Sequence, residues 1–81
     1  MAEPATSRID GVLVWEVTPG SRAAQAGLIP GDLVLCVNGR CVRDGHELSA
    51  LIVEASADFE FVTLSIIRDG RLRSLEMQVS L

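Results

Sequence analysis

Four turn signals cut this chain into short pieces: Pro19-Gly20, Pro30-Gly31, Asn38-Gly39 and Asp69-Gly70. Each marks a place where the backbone must reverse or adopt a positive φ. Asn38-Gly39 and Asp69-Gly70 favour the primed two-residue turns whose twist matches that of antiparallel strands. A chain punctuated in this way has room only for short strands and short helices. No apolar run approaches the roughly 18 residues of a membrane span.

The pieces between the turns have distinct periods. Val12 to Val17 (VLVWEV) is rich in β-branched and aromatic residues, which predicts a first strand. Ser21 is placed to cap a short helix over Arg22–Ala26, and Gly27 to close it in the left-handed conformation. Leu28 and Ile29 are expected to drop back into the core. Leu33 to Val37 reads as a second strand and Arg40-Cys41-Val42 as its short return. Asp44 and Glu47 form a capping-box pair that starts a longer helix ending near Ser56. Leu48, Leu51, Ile52 and Ala55 share its core face. Phe61 to Ile67 is a further strand, with Val62, Leu64 and Ile66 on one side. The last strand alternates Leu75, Met77, Val79 and Leu81 against Ser74, Glu76, Gln78 and Ser80, one dry face and one wet. The implied class is α+β: a curled, partly open antiparallel sheet with two helices closing its ends.

With 81 residues there is one domain, assigned to 11–81, and residues 1–10 read as a flexible tail or linker stub. The start, MAEPATSRID, lacks the apolar stretch of a signal peptide. All seven basic residues are Arg and the net charge is −4. That balance argues against general binding of nucleic acid or an anionic membrane surface, which need a basic footprint. One His and two Cys also leave little for catalysis. Cys36, Cys41 and His46 do not make a closed zinc site, which takes four ligands. A Ser–His–Asp arrangement would have to use His46 with Asp44 or Asp58, and no Ser stands on a recognisable nucleophile turn. The expectation is a binding module with no enzyme activity, no metal and no cofactor.

The ordered run Gly11-Val12-Leu13-Val14, then Thr18-Pro19-Gly20-Ser21 through Ala26-Gly27-Leu28, then Pro30-Gly31-Asp32-Leu33 through Val37-Asn38-Gly39, resembles a bacterial PDZ domain. It is similar to those of HtrA-type serine proteases, site-2 proteases, carboxyl-terminal processing proteases and type II secretion proteins. Val62-Thr63-Leu64 and Arg68-Asp69-Gly70 continue the pattern, and Arg22 stands where the family often has Pro. The resemblance implies protein–protein recognition of an extended peptide or a protein C-terminus by strand addition. It further implies a regulatory or substrate-recognition module attached to a protease, in a periplasmic or membrane-associated parent. An alternative within the family is a scaffold of a secretion or envelope complex that binds folded partners. In such domains a carboxylate-holding loop and ligand strand precede strand one. Only ten residues precede Gly11 here, and they carry no recognisable loop of that kind.

By the same resemblance, His46 at the first turn of the longer helix is placed to hydrogen-bond a ligand hydroxyl. Ala50 and Val53, at i+4 and i+7, would form the groove wall, and Val12 and Val14 on strand one would complete the peptide site. Strand one is expected to offer an open edge, inviting a partner strand or weak self-association. Trp15 is expected to pack within the fold. Arg68, Arg71 and Arg73 read as a solvated hairpin end. Finally, a two-residue Asn38-Gly39 turn sets Cys36 opposite Cys41 in a non-hydrogen-bonded pair, with Cα atoms about 4.5 Å apart. That is within reach of a disulfide, and the register alone leaves the bond open.

Overall fold

The structure, a computed structural model, describes residues 11–79. Its elements run β1 (Val12–Leu13), α1 (Arg22–Ala26), β2 (Leu33–Val37), β3 (Arg40–Cys41), α2 (Gly45–Ser56), β4 (Phe61–Arg68) and β5 (Arg71–Gln78). The sheet order is β1-β2-β4-β5, with β3 pairing to β2, and every pairing is antiparallel. This is the curled α+β arrangement expected from the sequence. The stretch assigned as a tail, 1–10, lies outside the described residues, as does Leu81.

Local chemistry explains most boundaries. The Ser21 side chain accepts from the Ala24 amide, and Gly27 ends α1 at φ 98°. The Leu28 amide then donates to the Ala23 carbonyl, a Schellman closure. Asp44 accepts from the Glu47 amide at the start of α2. The Glu47 carboxylate accepts from the Arg43 amide rather than from Asp44 itself, so the box closes one residue earlier than expected. Asn38 and Gly39 have φ 50° and 83°, and Asp69 and Gly70 have 53° and 74°, as primed turns require.

Strand one is shorter than the sequence predicts. Beyond Leu13 only Val14 keeps ladder-like bonds, donating to the Asp32 carbonyl and accepting from the Gly31 amide. The physical cause is its partner: β2 begins at Leu33, and the chain before it is already turning through Pro30-Gly31. Residues 15–17 therefore run on without a ladder. Two further expectations change with this segment. Trp15 does not pack; its side chain is 80% exposed. Ile29 also stays outside, 48% exposed, while Leu28 is buried.

The core is built from Val34 and Val37 of β2, Val62, Leu64 and Ile66 of β4, Met77 of β5, and Leu28, Val42 and Val79. The expected α2 face of Leu48, Leu51, Ile52 and Ala55 packs against it from one side, and Ala23 and Ala26 of α1 from the other. Arg22 donates from its guanidinium to the Val79 carbonyl at 2.9 Å, which ties α1 to the end of β5.

One charged residue sits inside. Asp32 is 1% exposed. Its carboxylate accepts two bonds of 2.7 Å from the Arg68 guanidinium and one of 3.0 Å from the Ile29 amide. Arg68 donates again to the Gly27 carbonyl at 2.7 Å. Arg68 is thus a structural cation and not part of a solvated hairpin end. The Arg68 hydrogen bonds hold the Asp32 carboxyl below its ordinary value of 3.8, and the Ile29 amide adds to this against the opposing effect of burial.

A carboxyl whose pKa is lowered by folding adds stability above its unfolded value. That contribution is lost as pH falls through the lower folded value. Native protein is therefore expected to lose melting temperature below about pH 4, and Asp32→Asn to flatten that acid limb. At neutral pH, bonds to charged groups contribute about 1.5–3 kcal/mol each, so Asp32→Ala should melt more than about 8 °C lower. Thermal denaturation followed by circular dichroism across pH checks both.

Candidate peptide-binding groove

A cavity of about 350 Å³ opens between the 13–17 segment and α2. Its floor is core: Leu28, Val34, Leu64 and Met77. Ala23 of α1 closes one end, Leu48 and Ile52 of α2 form the far wall, and Leu13 to Val17 form the near wall. The lining is almost wholly apolar.

The near wall also presents backbone. Val12 and Leu13 pair with Val34 and Leu33, and both polar groups of Val14 are spent on Asp32 and Gly31. Strand alternation then directs the amide and carbonyl groups of Leu13 away from β2. β1 is the edge of the sheet among the described residues. Gly11 lets this strand lie close to β2. Its φ is 131°, and a Cβ there would stand 2.8 Å from the Val34 carbonyl oxygen.

Of the five residues predicted for a peptide site, the structure brings one to this cavity. Val14 lines it. Val12 is half-buried and packs on the core beneath the strand. His46, Ala50 and Val53 are exposed on the outer face of α2 and do not line it. Helix geometry gives the reason: at 3.6 residues per turn, His46 and Leu48 point about 160° apart. Sequence reasoning assigned Leu48 and Ile52 to the core alone. They do pack there, but the open side of the sheet leaves the same side chains accessible as a wall. Trp15, expected to pack, instead stands exposed at the cavity.

Cys36 and Cys41 are opposite each other in the β2–β3 register, with Cα atoms 3.8 Å apart, and the structure joins them as a disulfide. They lie below α2's first turn: Val42, next in the chain, is buried, and Asp44 caps the helix. No group of three or more His, Cys, Asp or Glu side chains is arranged to hold a metal ion among the described residues.

The comparisons with known proteins agree with the fold. Residues 13–64 match the family model described as PDZ domain. The chain belongs to the PDZ family. The magnetosome formation protease MamE of Paramagnetospirillum magneticum is 46% identical over 83% of the chain. The mitochondrial serine protease HTRA2 of Drosophila persimilis is 39% identical over 78%. The chain spans only 9% and 15% of those two proteins. The crystal structure of the HtrA3 PDZ domain bound to a phage-derived ligand, FGRWV, superposes with a TM-score of 0.71 at 29% identity. It covers 85% of this chain and 59% of that one. PDZ domains are binding modules, and the relatives are of the HtrA protease type.

The direct opposition of the two cysteines in the β2–β3 register makes the pair testable. Protein purified without reductant is expected to show no thiol reactive to a maleimide by mass, and two after treatment with dithiothreitol under denaturing conditions. Two reactive thiols in the untreated protein would contradict the bridge.

Proposed function

We propose that this PDZ domain binds an extended peptide by adding it along the Leu13–Trp15 edge, with alternate side chains of the peptide entering the cavity against Leu48 and Ile52. The observation that carries this reading is the coincidence of an apolar cavity with a strand edge whose backbone groups point outward. Backbone pairing gives affinity for any extended chain, and the cavity selects an apolar side chain. Similarity to serine proteases of the HtrA type supports a further inference, that the domain serves substrate recognition or regulation in a protease parent. A free C-terminus or an internal extended segment both fit an edge of this kind.

This placement differs from one on the outer face of α2. A ligand held against Leu48 and Ile52 lies away from His46, so His46 makes no contribution to it. Trp15, standing exposed beside the cavity, folds over the bound segment.

The peptide FGRWV with a free C-terminus, titrated into ¹⁵N-labelled protein, is expected to shift the amides of residues 13–17 and those of Leu48 and Ile52. Because two tryptophans would then be present, the fluorescence arm uses the Phe-substituted peptide FGRFV, and Trp15 emission should move to shorter wavelength. Trp15→Ala should weaken binding at least about fivefold, the ~1 kcal/mol expected of an aromatic contact. Its melting temperature should stay unchanged, because the ring is exposed. His46→Ala should change affinity less than about twofold. Shifts confined to the outer face of α2, at residues 46, 50 and 53, would move the groove there.

A further inference from the structure

On the other side of α2 lies a second hollow, of about 420 Å³. The helix divides the two: Leu48 and Ile52 face the groove described above, while Leu51, Glu54 and Ala55 face this one. Val37, Leu51 and Ala55 make an apolar floor. Phe59 and Phe61 stand at its side, 55% and 49% exposed. Two half-exposed phenyl rings beside one apolar floor form a patch that water covers poorly.

The charge around it is not balanced. Arg40 is the one cation of the rim, and it is committed to Glu54 at 3.0 Å. Asp58 has no ion-pair partner among the described residues. The C-terminal end of α2, where backbone carbonyls carry partial negative charge, is beside Asp58, and no basic residue lies in the helix's last turn. The hollow therefore combines an apolar floor, two aromatic rings and an uncompensated negative end.

We propose that this hollow docks a second protein segment, one that presents an Arg or Lys beside an aliphatic residue. A basic side chain suits each part of it. The methylene stem lies on Val37, Leu51 and Ala55. The charged head reaches Asp58 and the end of α2 while passing the phenyl rings, which attract cations on their faces. An acidic or wholly apolar segment would leave Asp58 facing like charge or no charge. The site is separate from the edge groove and does not depend on strand addition, so a peptide bound in one leaves the other open.

The test uses the full chain, ¹⁵N-labelled, and the doubly capped peptide Ac-Leu-Arg-Leu-Arg-NH₂, which has no terminal carboxylate. Its amides at Asn38, Ala55, Phe59 and Phe61 are expected to shift in a saturable way. The Glu counterpart, Ac-Leu-Glu-Leu-Glu-NH₂, should bind at least about tenfold more weakly, as like charge replaces attraction. Raising salt from roughly 50 to 500 mM should weaken the Arg peptide at least about threefold, because exposed charges are screened. Asp58→Asn, with melting temperature unchanged, and Phe59→Ala should each cost about threefold or more in affinity. Shifts confined to residues 13–17 and Ile52, equal response to the Glu peptide, or native affinity in both variants would each overturn the proposal. So would self-association of the unliganded chain that perturbs the same amides, since the occupant would then be a second copy.

Discussion

The buried Asp32 carboxylate and its partner Arg68 join three parts of the chain that local preferences would leave independent. Asp32 lies in the turn leading into β2, Arg68 at the end of β4, and Gly27 at the close of α1. Removing a carboxylate from water is costly unless its oxygens are satisfied. Here both oxygens are, by a bidentate guanidinium and by the Ile29 amide. The geometry is specific, so it sets where the Pro30-Gly31 turn ends and where β2 begins. That in turn limits how far β1 can pair. The early end of the β1 ladder is thus linked to the same anchor, and among the described residues it leaves the 13–17 segment beside the cavity.

α2 is the other organising element. It has one narrow core stripe and packs over a sheet too open to bury that stripe on both sides. Leu48 and Ile52 stay accessible from one flank, Leu51 and Ala55 from the other. Its orientation is held at the start by the Asp44 cap and along its length by Arg40 to Glu54, both close to the Cys36–Cys41 hairpin. Exposed ion pairs of this kind contribute little stability. The hairpin and Val42, which is buried, carry most of the constraint on where the helix begins. The disulfide closes a loop so small that its entropic effect is modest. Its consequence is local: it fixes the register of β2 and β3 just before the helix.

Membership of the PDZ family, the α+β class and the positions of both helices were legible in the sequence. The signals were specific because each is local: a cap residue three positions from its amide, a glycine where φ is positive, an alternation of period two. The Cys36–Cys41 opposition was legible for the same reason, since a two-residue turn sets its own register. The candidate site was far less so. His46, Ala50 and Val53 share a helix face, which periodicity shows, but periodicity does not say which face a neighbouring element will approach. Arg68 looked like a loop arginine because nothing in its neighbourhood names a carboxylate 36 residues away.

The sequence by itself determined what each short segment would become, because turn chemistry, capping and apolar spacing act over a few residues. It also determined that there is enough apolar surface for one core. Only the tertiary structure decided where strand one stops, that Trp15 stands outside, and which side chains of α2 border an open cavity. Those outcomes depend on contacts between residues distant in the chain. They follow from how a buried carboxylate must be satisfied and from how much of a helix face an open sheet can cover.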